Sequence, residues 1–136
     1  MSPKDAELLN GLALAYMGDA VYERFIRERL LTKGQTKPNQ LHRLATKYVS
    51  AKAQAWLMDE MMTEEVLTET ELNYFKRGRN AKSYTKAKNT DGPTYNKSSG
   101  FEAVIGYLYL TEQSERVAAV MQYCAEKIEQ RQQNDQ

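Results

Sequence analysis

The chain has 136 residues, the length of one domain, with 41% hydrophobic residues, 27% charged residues and a formal net charge of +1. Its single cysteine, Cys124, excludes an intrachain disulfide and a cysteine-rich zinc site. The start MSPKDAELLN carries charges where a signal peptide needs an apolar core, no apolar run reaches the ~18 residues of a membrane span, and the near-neutral charge leaves any nucleic-acid signal to be local, so a soluble cytoplasmic protein is expected.

The elements read as helical from end to end, without β-branched alternation, and predict an all-α fold. A first helix is expected from about Pro3 to Leu31, with Pro3 in its first turn. From Leu8 to Met17 it is apolar on nearly every side, as a helix buried all round would be. In so short a chain that means a central helix or one covered by a second subunit. Beyond Asp19 the helix turns amphipathic. Thr32 to Asn39 is a turn. Helices then follow from Gln40 to Lys47 and from Val49 to about Met62, and Thr63 and Thr68 have the character of N-caps. The segment TETELNYFKRGRNAK begins acidic and ends basic, matching a helix dipole. Lys82 to Ser99 lacks helical periodicity and contains the turn signal Asp91-Gly92-Pro93, so it is expected to be a functional loop. Helix resumes near Ser99, placing Phe101, Val104, Ile105 and Leu108 on one face. A last helix starts near Ser114 and ends in a polar tail, residues 130–136, expected to be disordered. Residues 1–136 form a single domain on this reading.

Four features bear on chemistry. Asp19 directly follows an apolar stretch, where an acid is costly unless paired. Gly18 beside it lowers helix propensity by about 1 kcal/mol relative to alanine, which suits a close approach by another helix or a ligand. Asp19 equally fits the first exposed position of the helix, bonded to Arg24. Glu23, one turn on, is either a helper or an ordinary surface residue. Glu102 fits a capping box with Ser99. It also lies one turn before Gly106, so that crossing at Gly18 and Gly106 would bring Asp19 and Glu102 together as a hard-oxygen site for Mg²⁺ or Mn²⁺. Lys76, Arg77, Arg79, Lys82, Lys86 and Lys88 form a basic stretch without an acid, interleaved with Tyr74, Phe75, Tyr84 and Tyr95. They suit a phosphate backbone, or else a solvated helix end. His42, the only histidine, reads as structural, and no phosphate loop, dinucleotide motif or Ser-His-Asp arrangement is present.

The segments YMGDAVYE and SSGFEAVIGYLYL resemble the signature helices of the ribonuclease III catalytic domain, and the short all-helical chain is similar to the Mini-ribonuclease III branch. The resemblance extends over LHRLATKYVSAKAQA and FKRGRNAK. It implies a ribonuclease III-like helical bundle in which Asp19 and Glu102 are catalytic and hold Mg²⁺, with Mn²⁺ substituting. Larger relatives carry further acids where this chain has Ala15 and Ser99, so fewer protein ligands and more water or substrate oxygens are implied. It also implies a homodimer that cuts double-stranded RNA, leaving 5′-phosphate ends, with large-subunit (23S) ribosomal RNA precursor as substrate. No DNA or membrane partner is expected, and the basic stretch would contact RNA by shape and phosphates. The alternative is a non-catalytic dimeric RNA-binding module that lost its chemistry with the two acids.

Overall fold

In the computed structural model, residues 1–81 and 91–135 are described, and none of them forms a strand. The first helix of the sequence reading is two helices, α1 (Pro3–Glu7) and α2 (Gly11–Thr32). Asn10 makes the break. Its side chain accepts from the Ala13 backbone N–H at 2.9 Å, so it starts a new helix instead of continuing the old one. Gly11 then approaches the Arg77 carbonyl so closely that a Cβ would overlap it.

Helix α3 (Pro38–Val49) starts on its proline, and Ser50 separates it from α4 (Ala51–Thr63). Ser50 is extended, ending α3 and capping α4 through the Ala53 N–H at 3.2 Å. Thr63 is the last residue of α4 and not an N-cap, whereas Thr68 opens α5 (Glu69–Arg79) with a capping box to Glu71. Arg116 locks the buried Glu71 carboxylate at 2.7 Å.

Helix α6 (Gly92–Leu110) starts at Gly92 and not near Ser99. Asp91 accepts from the Thr94 N–H at 2.8 Å, and Pro93 sits in the first turn. The Asp-Gly-Pro signal therefore marks a helix cap, and the second half of the expected loop is helical. The first half, residues 82–90, lies outside the described residues. Helix α7 (Ser114–Asn134) continues through most of the expected polar tail.

The core is centred on α6. Ser98 through Phe101 and Ala103 through Leu108 are buried, so this is the helix apolar all round. Glu102, half-buried, is the interruption. Helix α2 packs on α6 along the i+4 ridge Leu14, Gly18, Tyr22, Ile26 and Leu30. Its first half is only partly covered: Tyr16 remains 82% exposed, as does Leu8 at the break, 83%. Helices α4 and α5 flank α6. Helix α7 contributes Val117, Val120, Met121, Cys124, Ala125 and Ile128 to the core. Outside the core, Glu129 of α7 joins Arg29 of α2 at 2.7 Å, Lys33 at 2.8 Å and the Tyr48 hydroxyl of α3 at 2.9 Å. The Arg29 hydrogen bonds hold the Glu129 carboxyl down at about 2. No described helix is long and apolar enough to cross a membrane.

Candidate functional site

The site is built on two glycines. A Cβ on Gly18 would overlap the Glu102 carbonyl oxygen and lie 2.8 Å from the Gly106 nitrogen. A Cβ on Gly106 would overlap the Leu14 carbonyl oxygen and lie 3.0 Å from the Gly18 nitrogen. The two backbones thus touch at the crossing expected from the sequence. One residue beyond Gly18 and one turn before Gly106, the crossing places Asp19 and Glu102 within hydrogen-bonding reach of each other. The capping role for Glu102 does not survive this geometry: Ser99 is a buried residue in the interior of α6, and Asp91 is the cap.

Asp19 is exposed and Glu102 is half-buried. Burial, followed by the Asp19 charge and the hydrogen bond to Asp19, pushes the Glu102 carboxyl up to about 8. Glu23 adds a smaller push in the same direction while bonding Arg27 at 3.1 Å. Donation from Gln54 opposes these effects. Gln54 was not among the residues singled out in the sequence, where an amide inside an apolar stretch gives no signal. It is 1% exposed on α4, and its Nε2 donates to the Val49 carbonyl at 3.2 Å and to Glu102 Oε2 at 3.4 Å. Ala15 and Ser99, each 7% exposed, add no charge.

Two carboxyl groups this close need a proton or a cation between them. Their oxygens suit a hard divalent ion, and no set of three or more acid, histidine or cysteine side chains forms a metal cage among the described residues. Without a cation, the direction of the Glu102 shift has a thermodynamic consequence. The folded state holds a proton that the unfolded state releases near 4.5, so this group's contribution falls as pH rises from there to about 8. Glu102→Gln removes that cost. The expected result at pH 7.5 without divalent ions is a Tm higher by roughly 3–5 °C, on the order of 1 kcal/mol, measured by calorimetry. A lower Tm would show that the Glu102 charge is stabilising.

The basic stretch divides. Arg77 Nη1 donates to the Glu7 carbonyl at 2.7 Å and the Leu9 carbonyl at 3.2 Å, with its guanidinium 4.5 Å from the Tyr74 ring centre. It clamps the α1–α2 turn. Arg79 donates to Asn80 at 3.1 Å and lies over Phe75, while Lys76 is exposed on the same helix end. Lys82, Lys86 and Lys88 lie outside the described residues. Other cations gather where no sequence motif marked them: Lys47, Lys52 and Arg131 line a concavity of about 740 Å³ between the ends of α3, α4, α6 and α7. Arg131 lies 4.5 Å over Trp56 there. His42 is exposed on α3, on a groove with Arg27 and Glu23.

Comparison with known proteins places the chain in a family. Residues 12–113 match the Ribonuclease III domain family. The chain is 58% identical over 125 residues to the Mini-ribonuclease 3 of Streptococcus pneumoniae, covering 92% of this chain and 98% of that protein. It is equally 58% identical over 125 residues to the Mini-ribonuclease 3 of Enterococcus faecalis, covering 92% and 95%. An X-ray crystal structure of a protein from Fusobacterium nucleatum superposes with a TM-score of 0.77 at 27% identity, covering 90% of this chain and 97% of that one.

Proposed function

The chain belongs to the ribonuclease III family and is an endoribonuclease, and on that footing we propose that it cleaves double-stranded RNA at the Asp19–Glu102 pair in a divalent-metal-dependent reaction. The observation that carries this reading is the pair itself, two carboxyls brought into contact by a glycine-on-glycine helix crossing. The two glycines cost helix propensity, about 1 kcal/mol each relative to alanine.

Asp19 and Glu102 would hold Mg²⁺, or Mn²⁺ in its place, with water and substrate phosphate oxygens completing the shell. When bound, the ion supplies Lewis acidity at the scissile phosphodiester and lowers the pKa of the attacking water. The chain's residues divide the remaining work. Asp19, exposed, faces the solvent from which substrate arrives. Glu102, half-buried, accepts a hydrogen bond from Gln54 at 3.4 Å. Its carboxyl, pushed up to about 8 by burial, would hold a proton in the absence of a cation and give it up to act as a ligand. The products carry 5′-phosphate ends, and the substrate is structured RNA of the large-subunit (23S) ribosomal RNA precursor type. Lys76, Arg79 and the lysines at 82, 86 and 88 serve phosphates, and Arg77 acts through the turn it clamps.

A homodimer is part of the proposal. Leu8 at the α1–α2 break and Leu12 and Tyr16 at the start of α2 carry apolar surface, exposed by 83%, 37% and 82%. A second copy covering it would place two Asp19–Glu102 sites on one duplex.

Neutral Ala15 and Ser99 favour the second reading, a dimeric RNA-binding module without catalysis. One experiment separates the two. The purified protein is incubated with a 5′-labelled RNA duplex and Mg²⁺, then with EDTA in excess. Cleavage that appears with Mg²⁺ and stops with EDTA is expected. Stable binding without cleavage would replace the nuclease by the binding module.

A further inference from the structure

We infer that Gln54 is a positioning residue, whose buried amide holds the Glu102 carboxyl in the orientation that faces Asp19. The inference rests on the Asp19–Glu102 metal site proposed above and goes beyond it by naming what aligns one of the two ligands.

The argument starts from cost. Gln54 lies on the buried face of α4 with Ala53, Ala55, Leu57 and Met58 around it in sequence, all buried. A leucine or methionine would fill this place without a polar atom. Burying an amide instead costs roughly 1–3 kcal/mol unless its donors are used. Here both N–H bonds are used, and each reaches a different element. One goes to the Val49 carbonyl at 3.2 Å. That carbonyl lies at the end of α3, where the extended Ser50 stops the helical ladder. The other goes to Glu102 Oε2 at 3.4 Å. The amide plane is therefore set by backbone on one side, and the carboxyl it faces is set by the amide on the other.

The corner between α3 and α4 makes this possible. Ser50 caps α4 and places Gln54 one turn in, where α4 packs on α6. A glutamate's terminal torsion is soft and takes a broad range of angles. A donor fixed from behind removes that freedom. It engages one carboxyl oxygen and limits how the group can turn toward Asp19. Residues that orient metal ligands in this way typically affect metal affinity or activity by 10- to 100-fold.

The test uses the full chain and Mn²⁺ as the probe, bound directly and followed by electron paramagnetic resonance without RNA. Gln54→Leu keeps the volume and removes both donors. The expected result is Mn²⁺ affinity about tenfold weaker and kcat on duplex RNA lower by a similar factor, with KM for RNA within about twofold. Mn²⁺ affinity and kcat both within about twofold of the parent would overturn the inference. If Gln54→Leu does not fold, Gln54→Met serves in its place.

A double-mutant cycle separates orientation from general packing. Because Gln54 acts through Glu102, adding Gln54→Leu to Glu102→Gln should weaken Mn²⁺ binding no further than Glu102→Gln alone. Losses that simply add would make Gln54 an independent structural residue and overturn the inference. If Glu102→Gln itself leaves Mn²⁺ affinity unchanged, the metal site assigned to Asp19 and Glu102 fails, and the inference falls with it for that distinguishable reason.

Discussion

Asp19→Asn is expected to lower kcat/KM on duplex RNA by on the order of 10³-fold or more, about 4 kcal/mol of lost transition-state stabilisation, while the protein stays folded. The two halves of this expectation have separate causes. Asparagine keeps the shape of the side chain, and Asp19 is exposed, so little packing is disturbed. What disappears is one of two negative charges at the helix crossing. A divalent ion held by one carboxylate and water binds far less tightly than one held by two. Removing the Asp19 charge also relieves Glu102, whose carboxyl should titrate below its present value of about 8. Cleavage assays at saturating Mg²⁺, with calorimetry of the same preparation, measure both halves. Activity within tenfold of the parent in a folded Asp19→Asn variant would remove Asp19 from the site.

The second large effect is on stability. In an ordinary helix interior, replacing glycine by alanine stabilises by about 1 kcal/mol, because the unfolded chain loses freedom. At Gly18 the sign should reverse. The added Cβ would overlap the Glu102 carbonyl, with the Gly106 nitrogen a further 2.8 Å contact. Both are backbone atoms of the central helix, so no side chain can swing away. Helices α2 and α6 must separate, along the ridge that forms much of the core. A loss of about 3 kcal/mol or more is expected, a large share of the 5–15 kcal/mol that holds a domain together. Chemical denaturation of Gly18→Ala followed by circular dichroism measures it. A variant as stable as the parent would mean that the two helices do not cross this closely in solution. Whatever Gly18→Ala protein does fold should have impaired activity, because the same separation moves Asp19 away from Glu102.

The fold class was legible because helical periodicity and apolar content are local properties of the chain. Phe101, Val104, Ile105 and Leu108 are buried as their spacing predicts, but α6 also buries Ala103 and Tyr107 on its other sides, which a one-faced reading does not give. The crossing was legible for a similar reason. A glycine costs helix stability wherever it sits in a helix, so Gly18 and Gly106 stood out against their surroundings. The helix boundaries were less legible. Asn10 and Asp91 are cap residues in the structure, yet an Asn-Gly or Asp-Gly-Pro step fits a turn equally well. The choice depends on whether the following residues have a core to pack on.

Glu102 shows the division most clearly. Local pattern allowed two roles, a cap bonded to its own helix end or a ligand facing another helix. That α6 begins at Gly92, where Asp91 caps it, removes the first role, and Lys97 in its second turn pairs with Asp59 of α4 at 2.7 Å. Gln54 and the cations Lys47, Lys52 and Arg131 carry the same lesson further. Gln54 is 48 residues from Glu102, and Arg131 is far in sequence from Lys47 and Lys52, so only the packing of α3, α4, α6 and α7 makes them neighbours. Residue type and spacing thus specify helices, faces and the two acids, since these follow from interactions within a turn or two. Which acid is buried, which amide steadies it and which charges share a surface follow from contacts between distant segments, and those exist only once the helices have packed.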